Sequence, residues 1–300
     1  MVCVRRAWLD LDGLVTDLHD EAAGYYCTEL DLGSPDVRDV VNNRPDRDGI
    51  DDRTQFFGGR VVSASITALA SHGAIIDEVA TMFGPYMSPA VRPVLHYVLD
   101  REGLPERTLV VRAQTYDFKV DDIEQRDIQL AWVASDPVAR DPVSKSATCW
   151  AGASGGIQGR SYDLTFDRTY PAGSSSPAPA VIVSAGDVPV RPLLRIYGPI
   201  TGASVRFSKG ADPVGNGSVG FVASYIIAAG HYVEVDCEAR TAYLDGNRNQ
   251  SVLTSLDWVQ ISANGWPTIP ARTTTNMTLV GTSTTSATQC VATWNDGYLS

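Results

Sequence analysis

Residues 58–68 read Gly58-Gly59-Arg60-Val61-Val62-Ser63-Ala64-Ser65-Ile66-Thr67-Ala68. Val62, Ala64, Ile66 and Ala68 alternate with Ser63, Ser65 and Thr67, the period of two of a strand with one buried and one wet face. Ile128, Leu130 and Trp132 repeat the pattern. The run from Leu109 to Val120, with Tyr116 and Phe118 on one face, predicts a third strand. It would pair with 126–134 through the acidic turn Asp121-Asp122-Ile123-Glu124. One helix fits this half. Ser71 is a suitable N-cap for Ile75, Ile76, Val79, Ala80, Met82 and Phe83, whose spacing gives a single apolar face, and Gly84-Pro85 stops it. The first half therefore reads as mainly strand with one packed helix.

The second half is a series of short apolar segments broken by Gly, Asn and Pro: Leu193 to Tyr197, Ser204 to Phe207, Val219 to Ile227, Tyr232 to Asp236, Ala239 to Leu244, Trp258 to Ile261 and Asn276 to Val280. Such spacing predicts an antiparallel sandwich or small barrel with no helix. Asp245-Gly246 is a two-residue hairpin signal, because both residues tolerate positive φ. Between the halves, 142–191 is rich in Gly, Ser and Pro. Its alternating Tyr162, Leu164, Phe166 and Val181, Val183 suggest short crossing strands and loops.

Composition divides the chain at the same place. Up to Asp141 there are 14 basic and 25 acidic residues, and beyond it 10 of each, so the formal charge of −11 sits wholly in the first part. Serine and threonine number 13 before that point and 34 after it. These shifts give the expected organisation: 1–141, a crossing region 142–191, and 192–300. An acidic balance argues against broad nucleic-acid binding, which needs a basic face. No apolar run approaches the roughly 20 residues of a membrane span. The charged start, Met-Val-Cys-Val-Arg-Arg, is unlike a secretory signal. The cysteines at 3, 27, 149, 237 and 290 include no Cys-x-x-Cys pair and read as buried thiols.

Motifs for catalysis are weak. Asp10-Leu11-Asp12-Gly13 resembles a phosphatase nucleophile loop, but Val4-Arg5-Arg6-Ala7-Trp8 is too charged for the buried parallel strand such a loop ends. A short strand and an Asp-Gly turn is the simpler reading. Asp46 to Asp52 misses calcium-loop spacing and is diluted by Arg44, Arg47 and Arg53. His19, His72, His96 and His231 form no ligand-spaced pair. No catalytic, cofactor or metal residue is expected. Trp258, Trp266 and Trp294 are candidates for stacking on sugar rings, with core packing as the plainer alternative.

Taken in order, several stretches resemble the distal tail protein family of long-tailed, non-contractile phages. They include Tyr26-Cys27-Thr28-Glu29-Leu30-Asp31-Leu32-Gly33-Ser34-Pro35, Gly58 to Ile66, Arg107-Thr108-Leu109-Val110-Val111-Arg112 and Ile128 to Pro137. In the second half they include Gly186 to Pro199, Gly230-His231-Tyr232-Val233-Glu234-Val235-Asp236 and Arg240 to Gly246. The resemblance implies an N-terminal split β-barrel that closes a hexameric ring, and a C-terminal galectin-like antiparallel β-sandwich. It implies a structural virion protein, made in the host cytoplasm and sited at the distal end of the tail. Such a ring joins the tail tube protein to tip or baseplate hub proteins and continues the DNA channel, without catalysis. A carbohydrate-binding tail-tip adhesin for a host-surface glycan is the alternative. Candidate ring contacts are Arg53, Phe56, Phe57, Gly58, Gly59 and Arg60, because two bulky aromatics beside a flexible turn among charges suit an interface anchor; packing inside one barrel is the competing role of the phenylalanines. Whether the chain after Val280 stays in the sandwich or returns to the first domain is left open.

Overall fold

The computed structural model describes residues 4–38, 41–43, 50–52, 56–69, 76–100, 105–120, 125–151, 179–210, 212 and 214–299. The chain forms two compact units, Met1–Pro142 together with Tyr298–Ser300, and Val143–Gly297.

In the first unit, strand Arg60–Leu69 buries every second residue. It pairs along its whole length with Gln125–Ala134, placing Val62 opposite Trp132 and Ile66 opposite Ile128. Tyr25–Asp31 flanks it on the other side, and Arg112–Val120 completes a four-stranded antiparallel sheet. A second sheet runs in the order Leu14–Asp17, Val4–Leu11, Val94–Leu99, Arg107–Val110, Ala139–Arg140 and Gly297–Tyr298. Ala64, Leu130 and Trp132 from the first sheet and Leu9, Leu95, Tyr97 and Leu109 from the second share one core. Each large side chain so buried contributes about 1.5–3 kcal/mol. Helix α1, Ile76–Met82, adds Val79 to that core. The α-helix ends just before Gly84-Pro85, as expected, and the chain continues in the 3-10 turn Gly84–Met87, whose Tyr86 and Met87 are buried. Ser71 and the turn 121–124 lie outside the described residues.

The expected N-terminal split β-barrel is not what forms: among the described residues no sheet closes into a barrel. The reason lies at Val111. The run read as one strand from Leu109 to Val120 is broken there, where the Val111 amide donates to the Pro93 carbonyl at 2.9 Å. Arg107–Val110 stays in one sheet, and Arg112–Val120 starts the other. The chain turns a corner between two open sheets instead of curling one sheet shut.

In the second unit, Lys145–Trp150, Gln289–Trp294, Leu193–Tyr197, Tyr232–Asp236 and Thr241–Leu244 form one antiparallel sheet. The other contains Ala180–Val183, Thr274–Thr282, Ile200–Ser208 and Ser218–Gly220, with Ile226–Ile227 paired to the Ile200–Ser208 strand. Leu194, Ile196, Val233 and Val235 of the first meet Val205, Phe207, Met277 and Leu279 of the second in a single core. Cys149 stands opposite Cys290 within it, and hydrogen bonding between the two, with burial, pushes the Cys290 thiol up.

Three expectations change here. Val219 to Ile227 is two short strands with a turn between them. Trp258 to Ile261, read as strand, is the start of helix α2, Trp258–Asn264. Asp257 caps it by accepting from the Val259 and Gln260 amides at 3.1 Å, and Gly265 ends it at φ 77°. At the hairpin, Asp245 and Gly246 do take positive φ, but the turn is longer than two residues, with Tyr243 paired to Ser251. The chain after Val280 does both things left open: Gln289–Trp294 pairs inside the sandwich, and Tyr298–Ser300 belongs to the first unit.

Candidate functional site

The segment singled out for assembly is only partly a surface. Phe56–Phe57 pairs with Val37–Arg38, and the Phe57 side chain is 51% exposed. The next two residues are pinned. The Gly58 amide donates to the Asp36 carbonyl at 2.5 Å, and a Cβ on Gly59 would lie 2.8 Å from the Ala134 carbonyl oxygen, so the close approach of two backbones requires glycine there. Arg60 points inward and is 2% exposed. Its guanidinium donates to the Leu299 carbonyl at 3.2 Å and so holds the returning end of the chain. Arg107, also buried, lies 4.3 Å from the Tyr298 ring centroid and grips the same segment. Arg53 lies outside the described residues, and so does most of the acidic loop around Asp46.

The outer face of the four-stranded sheet is built mostly from small and polar residues, with Arg112, Val133 and the half-exposed Val61 in one row near its end. One row across the strands is Asp117, Gln129, Ser65, Glu29, and the next is Thr115, Ala131, Ser63, Asp31. Asp127 stands on the same face and accepts from the Thr67 hydroxyl at 2.7 Å. Among the described residues both edge strands of this sheet, Arg112–Val120 and Tyr25–Asp31, have an unpaired side. Elsewhere on the first unit, Leu14, Val15, Met82 and Pro85 line an apolar groove of about 590 Å³.

The remaining sequence candidates have structural employment. Asp10 and Asp12 sit in the turn between the antiparallel strands Val4–Leu11 and Leu14–Asp17, where Asp10 accepts from the Gly13 amide at 2.9 Å and Asp12 and Gly13 take φ of 52° and 89°. His96 stacks on Trp8 and meets Glu106 at 2.6 Å. His231 meets Asp245 at 2.7 Å, and the Tyr232 amide, followed by His231, holds the Asp245 carboxyl below the usual carboxylate range. His72 lies outside the described residues. Among the described residues there is no cluster of three metal-ligating side chains and no helix long and apolar enough to cross a membrane. Trp294 is buried, with its indole N–H donating to Asp296, while Trp258 is half exposed beside Trp266.

Sequence reasoning missed a row of side chains on the outer face of the five-stranded sheet containing Leu193–Tyr197. Trp150 stands opposite Gln289, Gln289 opposite Tyr197, and Tyr197 opposite Tyr232. These residues are up to 139 positions apart, from Trp150 to Gln289, and only strand register gathers them.

No protein-family model matches the chain, and no curated protein does. Among solved structures it is similar to the SPP1 Dit (gp 19.1) protein, described as a paradigm of hub adsorption apparatus in Gram-positive infecting phages. The identity is 11%, the match covers 98% of this chain and 99% of that one, and the TM-score is 0.61. Looser similarities are to the phage P2 baseplate in its activated conformation with Ca and with Sr, each at 10% identity over 96% of this chain and 97% of the other, with TM-scores of 0.44 and 0.42. From end to end, then, the chain shares the fold of SPP1 Dit.

Proposed function

We propose that the protein is a structural component of a phage tail, and that six copies close a ring at the distal end of a long non-contractile tail. The ring joins the tail tube to the tip or baseplate and continues the channel through which DNA leaves. The observation that carries this reading is the outer face of the four-stranded sheet. It is largely polar with an acidic excess, Glu29, Asp31, Asp117 and Asp127 standing on it together with Arg112, and its two edges are unpaired among the described residues. An acidic excess repels phosphate and disfavours retention of passing DNA. Unpaired edges are what neighbouring copies need in order to continue a sheet from one to the next. The whole-length fold likeness to SPP1 Dit supports the same reading.

A closed ring uses one surface against a different surface of the next copy. The first unit offers two apolar patches, one at Phe57 and one at the Leu14, Val15, Met82 groove. We place the ring contact there. The test is sedimentation of the purified protein, alone and with the tail tube protein. The reading expects a species of six times the 32.2 kDa chain mass in at least one of the two. A chain that stays monomeric in both would remove it. The second reading, a carbohydrate-binding adhesin at the tail tip, is favoured by the aromatic row of the second unit.

A further inference from the structure

The geometry points to a saccharide-binding face on the second unit: the outer side of the Lys145–Trp150, Gln289–Trp294, Leu193–Tyr197 and Tyr232–Asp236 strands takes a neutral oligosaccharide laid across the strands. It deepens the adhesin reading and is independent of the ring. The inward neighbours Cys149, Cys290, Ile196 and Val233 are in the core, so strand alternation turns Trp150, Gln289, Tyr197 and Tyr232 outward. With strands about 4.8 Å apart, the row from Trp150 to Tyr232 spans about 14 Å. The Tyr197 and Tyr232 rings are 5.4 Å apart and tilted by 37°, so together they form a broad aromatic floor.

The next row supplies fixed polar groups. Arg195 Nε donates to Glu234 Oε2 at 2.8 Å, and its guanidinium lies 5.9 Å from the Tyr232 ring centroid. The pair cancels in charge and presents planar donors and acceptors beside the aromatic floor. The hydroxyls of Tyr197 and Tyr232 and the amide of Gln289 make no side-chain hydrogen bond among the described residues. Apolar ring faces interleaved with neutral polar tips fit a pyranose, whose C–H face is apolar and whose rim is hydroxyl. With Arg195 paired to Glu234, the further charge on these strands' outer face is the carboxylate of Asp236, so the face lacks the positive charge that a nucleic acid or a polyanion requires. A protein partner of ordinary interface composition would want a continuous apolar centre, and here every aromatic is bordered by a polar group. Because all four residues stand on paired strands, little ordering cost is left to binding.

The experiment is calorimetric titration of the full chain with soluble linear oligosaccharides of glucose, of galactose and of N-acetylglucosamine, with tryptophan fluorescence as a second readout. One of the three is expected to bind. Tyr232→Ala should weaken that binding about tenfold, whereas Tyr232→Phe, which keeps the ring, should hold it within about threefold. Gln289→Ala, a change on the outer face with little bearing on folding, should weaken it severalfold and keeps the test valid if Tyr232→Ala fails to fold. Absence of heat and of fluorescence change with all three sugars into the millimolar range overturns the proposal. So does binding that Gln289→Ala and Tyr232→Ala leave unchanged. The ring reading is tested separately by sedimentation, so either can fail without the other.

Discussion

Replacing Asp296 with alanine tests the electrostatics of the second unit. The side chain of Asp296 is fully buried, yet it serves three donors: Lys145 Nζ at 2.5 Å, the Ala185 amide at 2.9 Å and Trp294 Nε1 at 3.2 Å. Burial alone would raise its carboxyl, but the hydrogen bond from Lys145 and then that from Ala185 outweigh it and hold the group below its usual value. In Asp296→Ala the Lys145 side chain, 37% exposed, regains water. The Trp294 indole N–H does not, and a stranded buried donor costs about 1–3 kcal/mol. Adding the partly buried Ala185 amide and the space left by the carboxylate brings the loss to about 3 kcal/mol. For a unit of this size that lowers the melting temperature by about 6–12 °C at neutral pH. Asp296→Asn keeps one acceptor and should lose about half as much. The pH dependence has a definite sign. A depressed carboxyl contributes stability that is fully present above its unfolded value, near pH 3.9, and is lost as pH falls through the folded value. The gap between wild type and Asp296→Asn should therefore close below about pH 4. Calorimetry at pH 7 and pH 3 measures both quantities; a fall under about 2 °C at pH 7, or a gap that persists unchanged at pH 3, refutes the account.

Phe57→Asp should leave a folded monomer and abolish the ring, read by circular dichroism and sedimentation; a six-chain species in the variant would move the contact elsewhere. Gly33→Ala places a Cβ 2.0 Å from the Val61 carbonyl oxygen at a φ of +62°, so a loss of about 2 kcal/mol or more is expected in chemical denaturation. Changing Glu29, Asp31, Asp117 and Asp127 together to their amides should slow DNA delivery from infecting particles and increase its dependence on salt; unaltered delivery kinetics would count against an acidic channel wall. Tyr25 is pushed up to about 12, first by burial and then by Asp20 and Asp17. Its contribution is intact below about pH 10 and disappears as pH rises toward 12, so Tyr25→Phe should flatten the alkaline limb of the stability profile.

Much of the strand content was legible because burial on one face writes a period of two into the sequence. Val62 to Ala68 and Ile128 to Trp132 not only read as strands but turned out to be directly paired. Closure was not legible, since alternation says which face is buried and not which sheet a strand joins. The switch at Val111 leaves an apolar run looking continuous. Helix α2 was misread because Trp258, Val259 and Ile261 are good strand formers, although Asp257 and Gly265 were the available end signals. Of the assembly segment, the exposed aromatic was readable and the buried Arg60 was not, because its partner is a backbone carbonyl 239 positions away. The saccharide face had no local signal, since its residues come from four separated strands.

Because Tyr298–Ser300 belongs to the first unit, the second unit is an insertion, entered at Val143 and left at Gly297. Synthesis runs from the N-terminus, so residues 4–142 emerge long before the segment that Arg60 and Arg107 hold. The first unit gains that segment only after the whole sandwich has been made. Translation order thereby acts as a clock: a chain broken off inside the second unit leaves the first one with its Arg60 guanidinium buried and deprived of the Leu299 carbonyl, and such a fragment is a poor competitor for a place in any assembly of finished chains.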